Sequence, residues 1–288
     1  MDAPPPPIRR GRPPDWLIYG GIVVALAVIA LAREEHADAP PAPPPITDAA
    51  TMGAPEAVLA AGASFKSKLV KPAAEPGTRP VSGTAFSISD KGVWLTARHV
   101  VKDCGKAVVM VSRTRGVTAK VFADKAADVA VLTTDGGAPP LPMALGLPLT
   151  PGQRVYLPGF PQDRAGEAAA RFIGSDSLKP AARGSRPQPV MVWAEAGRTD
   201  GLKGSLAGLS GAPVLDSAGR VVGVTLAEAP RRGRIYSATP ESIRAALALA
   251  GQTPSGFARG QPITVDNYGR AADTLRRDLR VAQVVCLS

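Results

Sequence analysis

The chain has 288 residues, 45% of them hydrophobic, so it is long enough for one large domain or two small ones with a substantial core. Its formal net charge is +10, but the basic residues are scattered and not interleaved with aromatic ones, which argues against a nucleic-acid-binding surface. Two cysteines and two histidines are too few for a plausible zinc centre, so we expect neither a metal nor an organic cofactor.

The N-terminal part of the chain carries a candidate membrane anchor. Residues 16–32 (WLIYGGIVVALAVIALA) contain no charge and would span about 26 Å as a helix, within the accepted range for a bilayer. The arginines that precede this segment predict a cytoplasmic leader over 1–15, a single transmembrane helix over 16–32, and export of everything after it.

A cleaved secretory signal is the alternative interpretation of the same segment. Ala30, Leu31 and Ala32 offer a small-x-small cleavage site. The long proline-rich leader is unlike the compact start of a signal peptide, which favours a retained anchor. Both interpretations place the rest of the chain outside the cytoplasm.

Residues 33–79 are predicted to be a linker. Their first part is rich in alanine and proline and lacks apolar periodicity, which is typical of an extended spacer. The spacing of apolar residues over 55–70 predicts a short amphipathic helix at the end of this linker.

From residue 80 the pattern changes to short apolar runs separated by turn residues. Many short strands at this spacing predict an all-β barrel or sandwich over residues 80–250. The predicted strands are 83–88, 93–96, 107–111, 117–122, 129–133, 154–157, 190–194, 213–215 and 221–226.

The end of the chain adds helical patterns to this all-β region. Residues 240–249 read as a helix, with Thr239 as a possible N-cap and Gly251 just past its end. Residues 251–288 are predicted to be a C-terminal extension with a helix over 268–279 and a strand over 281–287, which we expect to add to a sheet.

Three segments supply the residues of a nucleophilic triad. His99 follows an apolar strand, Asp128 opens a second one (DVAVL), and Ser210 lies in GLSGAP. A serine hydroxyl needs an imidazole to accept its proton and a carboxylate to orient that imidazole. Asp124 is the competing carboxylate, and Asp128 is preferred because it directly precedes the buried run.

The residues around Ser210 also suit a second catalytic task. The small residues allow a tight turn in which the N–H groups of Gly208 and Ser210 point at one spot, as an oxyanion hole requires. The triad members are separated by 128 − 99 = 29 and 210 − 128 = 82 residues. Their order, histidine then aspartate then serine, is that of the chymotrypsin-type enzymes.

The segments TARHV, DVAVL and GLSGAP resemble the signatures of the trypsin/chymotrypsin serine protease family, in particular its bacterial HtrA-like branch. The resemblance covers roughly residues 80–250. It implies a chymotrypsin-like double β-barrel with the active site between the barrels, and peptide-bond hydrolysis through an acyl-enzyme. With this resemblance, the exported catalytic domain is expected in the periplasm, on the inner membrane.

The chain departs from the family pattern at several positions. Leu209 stands where trypsin-like enzymes have Asp and HtrA-like ones Asn, so activation by a buried aspartate–N-terminus salt bridge is not expected. Ala212 replaces a second glycine. Only 288 − 251 = 37 residues follow Gly251, so no PDZ-like domain is expected after the barrels.

The resemblance also implies a specificity pocket. Gly204 and Ser205 would form its floor, and Leu226 and Ala227 would line its wall. Because no carboxylate falls at this floor, we expect a small or medium apolar P1 residue, on the N-terminal side of the cut bond, rather than lysine or arginine.

Cys104 and Cys286 leave two possibilities open. In an oxidising compartment they would form a disulfide that joins the C-terminus to the first barrel, and otherwise they are two buried free thiols.

The leading functional hypothesis is a membrane-anchored serine endopeptidase that acts on exported or envelope proteins. The alternative is a protease-fold scaffold that binds such proteins without hydrolysing them.

Overall fold

The structure, a computed structural model, describes residues 62–72, 80–123, 127–178, 187–253 and 260–287. The expected leader, the membrane segment 16–32, most of the linker and the competing carboxylate Asp124 lie outside these ranges. Inside them, no helix has the length and apolar character needed to span a bilayer.

The described part of the chain contains fourteen strands, three α-helices and two short 3₁₀ turns. In chain order these are β1 (Ser64–Phe65), β2 (Val81–Ser89), β3 (Val93–Ala97), α1 (Arg98–Val101), β4 (Lys106–Met110), β5 (Gly116–Ala123), β6 (Val129–Thr133), β7 (Gly136–Gly137), β8 (Arg154–Gly159), a 3₁₀ turn (Pro161–Asp163), β9 (Gly166–Leu178), β10 (Gln188–Arg198), β11 (Pro213–Leu215), β12 (Val221–Ala229), a 3₁₀ turn (Pro230–Arg232), β13 (Arg234–Ala238), α2 (Pro240–Leu249), α3 (Tyr268–Arg277) and β14 (Val281–Leu287).

Two closed, six-stranded antiparallel barrels make up the core of the fold, which confirms the predicted double-barrel class. The first barrel has the strand order β14-β2-β3-β6-β5-β4, and the second has the order β10-β13-β12-β11-β8-β9. Closure pairs every strand on both sides, so neither barrel has a free edge along which other chains would add.

The short helix predicted over 55–70 is absent from its described part, residues 62–70. This segment runs extended along the first barrel: β1 pairs with β7, and Val70 forms an isolated bridge with Gly116. The Phe65 ring of this segment stacks on the Trp94 ring of the barrel, with the two ring centroids 6.4 Å apart. Of the apolar residues that suggested a helix, Phe65 and Leu69 lie in the described part of the chain, and both pack against the hydrophobic core.

The C-terminal strand is an integral part of the first barrel, which corrects the predicted domain boundary at residue 250. Strand β14 lies between β2 and β4 and pairs antiparallel with both. Its pairs include Val284 with Gly83 on one side and Val284 with Val109 on the other. The double-barrel fold therefore extends to Leu287.

Helix α3, which directly precedes β14, packs on the second barrel. The guanidinium of Arg276, almost fully buried, binds the Glu167 carboxylate (2.9 Å), the Asp273 carboxylate (2.6 Å) and the Gly166 carbonyl oxygen (3.1 Å). Burial raises the pKa of Glu167, and Arg276 opposes that rise by favouring the charged form. One buried arginine thus ties the C-terminal segment to strand β9.

The predicted helix over 240–249 is confirmed as α2. Its N-cap is Thr239, whose hydroxyl accepts a hydrogen bond from the Ser242 N–H, and Pro240 occupies the first helical position. These are the residue types that helix starts favour on conformational and hydrogen-bonding grounds. The second predicted helix is also present as α3 and ends at Arg277, two residues before the predicted end.

A disulfide joins Cys104, just after α1, to Cys286 on β14, with a Cα–Cα distance of 5.3 Å. The two residues are 182 positions apart, so the bond closes nearly two thirds of the chain into a loop. In a chain-entropy account, a loop of this length is worth about 5 kcal/mol, with strain and residual unfolded-state structure reducing that figure.

Removing this disulfide should destabilise the protein. We expect the double variant Cys104→Ala/Cys286→Ala to lose about 2–5 kcal/mol of unfolding free energy in urea titrations. A reductant should lower the stability of the wild type to a similar value and leave that of the variant unchanged. Equal unfolding midpoints for oxidised and reduced wild type would contradict the stabilising role of the bond.

Candidate active site

The loop that carries Ser210 is shaped by a type II turn. The Leu209 N–H donates to the Leu206 carbonyl oxygen (2.9 Å), and Gly208, the third residue of this turn, has φ +96°. A positive φ at that position favours glycine. A side chain at Gly208 would also collide with the carbonyl oxygen of Phe160. The sequence therefore needs glycine at 208 to hold this backbone.

The turn leaves two backbone donors next to the Ser210 hydroxyl. Among the described residues, the N–H groups of Gly208 and Ser210 have no hydrogen-bond acceptor, whereas the neighbouring Gly211 N–H donates to the Thr225 carbonyl oxygen (2.7 Å). Free N–H groups at these two positions suit the stabilisation of an oxyanion formed beside Ser210. They are the pair proposed from the sequence.

His99 and Asp128 form a hydrogen-bonded pair on the first barrel. His99 lies in the short helix α1, and its Nδ1 is 2.7 Å from Asp128 Oδ2. The His99 backbone N–H also donates to Asp128 Oδ1 (2.8 Å), so the carboxylate contacts the histidine at two points. With Nδ1 as the donor to a carboxylate, Nε2 becomes the basic nitrogen of the ring.

The Asp128 residue is held from both barrels. Its carbonyl oxygen accepts a hydrogen bond from Arg98 N–H (3.2 Å), and its own N–H donates to the side-chain oxygen of Gln188 on β10 (2.9 Å). The Asp128 side chain is 18% exposed and the His99 side chain 43% exposed. The carboxylate is thus the more sheltered partner, and the imidazole is accessible from the cleft.

The nucleophile loop lies directly against the residues that flank His99. A Cβ built on Gly83 would come within 2.9 Å of the Ser210 carbonyl oxygen and 2.7 Å of the Val100 side chain. A Cβ on Gly211, where φ is +89°, would come within 2.9 Å of the Ala97 backbone nitrogen. Glycine at 83 and 211 therefore allows the two barrels to meet at the site.

The Ser210 hydroxyl is hydrogen-bonded away from the imidazole. Its Oγ donates to the carbonyl oxygen of Leu226 (3.3 Å) on β12, and this is its hydrogen bond within the described part of the chain. A rotation about the Cα–Cβ bond changes the direction of a serine hydroxyl without moving the backbone. Catalytic hydrogen bonds are often long or unformed before substrate binds.

Thr84, on β2, connects the first barrel to the nucleophile loop, and the sequence motifs did not single it out. Its hydroxyl donates to the Gly208 carbonyl oxygen (2.8 Å) and accepts from the Phe160 N–H (3.1 Å). Its backbone N–H donates to the Ser210 carbonyl oxygen (2.9 Å). This fully buried residue therefore fixes both ends of the Gly208–Ser210 backbone.

A small pocket, with a cavity volume of about 30 Å³ and partly open to solvent, lies beside Ser210. Its lining residues come from the nucleophile loop and from β12 and β13, and they are Leu206, Ala207, Leu209, Ser210, Thr225, Ala227, Glu228 and Ile235. Ala227, which the sequence analysis placed in the wall of the specificity pocket, is one of these lining residues.

The other three predicted pocket residues are placed differently. Gly204 and Ser205 are exposed rather than forming a buried floor. The Leu226 side chain packs into the main hydrophobic core, because a register shift between Thr225 and Ala227 interrupts the regular alternation of β12. Glu228, which the sequence reasoning did not select, lines the pocket instead.

No group of three or more histidine, cysteine, aspartate or glutamate side chains within the described ranges is placed to hold a metal ion.

Comparisons with known proteins agree with this geometry. Residues 83–224 match the family model of the trypsin-like peptidase domain. No curated protein sequence matches the chain at a significant level.

Solved structures with a similar fold include the active form of the Rv3671c protease from M. tuberculosis. It is 23% identical, with 69% of this chain and 83% of that chain covered and a TM-score of 0.52. An inactive form of the same protease is 26% identical over 58% of this chain and 82% of that one, with a TM-score of 0.48. The HtrA-type protease AlgW with a decapeptide is 18% identical over 59% and 51%, with a TM-score of 0.48.

The two barrels and the matched domain define a peptidase of the chymotrypsin-like fold class. The matched region spans both barrels and contains His99, Asp128 and Ser210. The match identifies residues 83–224 of the chain as a trypsin-like peptidase domain.

The Thr84 hydroxyl should be required for activity rather than for folding alone. We expect Thr84→Val, which keeps the side-chain shape, to lower kcat for a peptide substrate about 100-fold with little change in KM, because the oxyanion turn loses its anchor. The matched control Thr84→Ser keeps the hydroxyl and should retain kcat within a few-fold. A Thr84→Val variant with reduced thermal stability but unchanged kcat would assign the residue a purely structural role.

Proposed function

We propose that the protein is a serine endopeptidase that hydrolyses peptide bonds through Ser210, His99 and Asp128. The observation that carries the proposal is the pairing of His99 Nδ1 with Asp128 Oδ2 at 2.7 Å, on the face of the first barrel that contacts the Ser210 loop. A carboxylate-oriented imidazole beside a serine on a glycine-containing turn is the arrangement that activates a hydroxyl nucleophile.

In the first half of the reaction, His99 Nε2 removes the hydroxyl proton as Ser210 Oγ bonds to the carbonyl carbon of the substrate. The carbonyl oxygen becomes an oxyanion, which the N–H groups of Gly208 and Ser210 stabilise. The C–N bond then breaks, and the leaving amine takes the proton from His99. Asp128 stays ionised and holds the imidazolium in place.

In the second half, water attacks the ester formed at Ser210, and His99 first accepts and then returns a proton. The products are the free carboxylate and the regenerated serine. Before the reaction, the Ser210 hydroxyl must leave the Leu226 carbonyl oxygen, at a net cost of about 1 kcal/mol for one hydrogen bond. Substrate binding on β12 would compete for that same region.

We further propose that the catalytic domain works outside the cytoplasm, anchored in the inner membrane by residues 16–32. The uncharged segment and the preceding arginines support this topology, as does the Cys104–Cys286 disulfide, which persists in oxidising compartments. The substrates would then be exported or envelope proteins.

Labelling with a neutral fluorophosphonate probe tests the proposed chemistry. We expect the wild type to react covalently at Ser210, and Ser210→Ala to remain unlabelled, because the probe reports an activated serine and a formed oxyanion hole. His99→Ala should label far more slowly, since the base is lost while Ser210 remains.

Two outcomes would defeat the peptidase proposal. They are an unlabelled wild type that is folded by circular dichroism, or equal labelling of wild type and Ser210→Ala. The first outcome would favour the alternative, a protease-fold scaffold that binds envelope proteins without hydrolysis.

A further inference from the structure

Three arginines that are far apart in the sequence form one row across four neighbouring strands of the second barrel. Arg154 on β8 is paired in register with Arg171 on β9. Arg171 is paired with Ala194 on β10, and Ala194 is paired with Arg234 on β13. The arginines are separated by 171 − 154 = 17 and 234 − 171 = 63 residues along the chain, so this arginine row (Arg154, Arg171 and Arg234) exists only in the folded barrel.

The arginine row lies on the outer surface of the barrel. Successive side chains of a strand point to opposite faces of a sheet. The residue that follows each arginine is apolar and packs in the core of this barrel: Val155 after the first, Phe172 after the second and Ile235 after the third. The three arginines themselves are partly exposed to solvent.

The charge of the arginine row is not neutralised. Within the described ranges, none of its members forms an ion pair with a carboxylate. Glu195, the acidic residue next to Ala194 on β10, is held by Arg198, whose guanidinium binds both of its oxygens (2.5 and 2.7 Å). Like charges directly opposite each other on neighbouring strands are destabilising. A barrel that keeps Arg154 opposite Arg171 without a counter-ion therefore calls for a reason other than its own stability.

The surroundings of the arginine row suit a broad anionic surface. Arg231 and Arg232 are exposed on the 3₁₀ turn directly before β13, and the Arg232 carbonyl oxygen accepts a hydrogen bond from Arg234 Nη1 (3.3 Å). Ile173, two residues after Arg171 on β9, is 44% exposed. Arginines beside an exposed aliphatic side chain are a combination that favours the headgroup region of an anionic bilayer.

We propose that the arginine row, together with Arg231 and Arg232, is a docking surface for anionic phospholipid headgroups. The proposal rests on the membrane anchor proposed above for residues 16–32. The described chain begins at residue 62, so 62 − 33 = 29 residues connect it to that anchor. A chain of this length reaches at most about 100 Å.

This reach allows the second barrel to touch the bilayer that holds the anchor. Tethering converts the contact into an intramolecular one, so individually weak attractions between arginines and anionic lipids are sufficient to orient the domain.

Nucleic acid is the other anionic partner that such a surface could contact. Proteins that bind single strands stack the bases on exposed aromatic side chains. Tyr156 and Tyr236, each two residues along the strand from a member of the arginine row, pack against the hydrophobic core instead. The surface therefore offers charge without a stacking platform, which favours lipid headgroups.

The test uses the full chain in lipid nanodiscs and measures how fast phenylglyoxal, a neutral reagent, modifies each arginine. We expect the arginine row to react about threefold more slowly in discs with about 30% phosphatidylglycerol than in discs of phosphatidylcholine alone. The difference should vanish in about 0.5 M NaCl, because salt screens the attraction. Arg113 and Arg115, exposed on the turn between β4 and β5 of the first barrel, should react equally in both kinds of disc.

A matched pair of variants tests whether the arginines act together. Arg171→Gln removes the middle charge of the row, so the protection of Arg154 and Arg234 in the anionic discs should fall by at least about half. Arg113→Gln removes an equal charge from the first barrel and should leave that protection unchanged. Circular dichroism should show the same fold for wild type and both variants.

Three outcomes would overturn the docking surface. A chain that co-elutes with both kinds of disc but whose arginine row reacts equally in them would leave the anchor standing and remove the surface. Protection of the row by a DNA duplex, without protection in the anionic discs, would assign the surface to nucleic acid instead. A chain that co-elutes with neither kind of disc would overturn the anchor and this proposal with it.

Discussion

The placement of the site depends on the hydrogen bonds of one buried threonine. Thr84 belongs to the first barrel, yet its N–H and its hydroxyl donate to the carbonyl oxygens of Ser210 and Gly208 in the second. Its carbonyl oxygen in turn accepts from the Thr96 hydroxyl (2.7 Å), three residues before His99. Thr84 thus links the strand that leads to His99 with the loop that carries Ser210, and both are positioned by the same residue.

The first barrel is completed only by the last strand of the chain. Strand β14 supplies the pairing that β2 and β4 lack, and α3, which precedes it in the chain, docks on the second barrel through Arg276. The barrel that holds His99 and Asp128 therefore depends on residues more than 150 positions further along (281 − 128 = 153), and the Cys104–Cys286 disulfide fastens that connection. Contacts of such high sequence separation carry a large loop-closure cost, which a covalent bond reduces once formed.

Local patterns were sufficient to predict much of the fold, and they also suggested the three residues of the proposed triad. The valine-rich runs predicted most barrel strands, and Thr239-Pro240 predicted the start of α2. Strand β9 was missed because its sequence (GEAAARFIGSDSL) is rich in alanine, glycine and serine, which have weak strand preference. It is a strand because pairing with β8 and β10 overrides that preference.

The parts of the site that the sequence did not predict are those set by tertiary contacts. Nothing local distinguishes Thr84 from other strand threonines or Gln188 from other polar residues, since their roles arise from partners more than 50 positions away. Glu228 was missed because the pocket was placed by resemblance at Gly204, whereas the bulge in β12 brings neighbouring residues to the same pocket. The apolar pattern of residues 281–287 predicts a strand that pairs with a sheet, but it does not identify the partner strands. The closure of the first barrel by β14 could therefore not be predicted from the sequence.

The proposed function depends on one covalent event, the acylation of Ser210 during turnover. It is measured most directly by combining stopped-flow hydrolysis of a p-nitrophenyl ester with mass spectrometry of the protein and its peptides. We expect a burst of p-nitrophenol approaching one equivalent per chain, an acyl adduct on the peptide that contains Ser210, and neither in Ser210→Ala. An adduct on a different residue, or a folded wild type with no adduct at all, would contradict it.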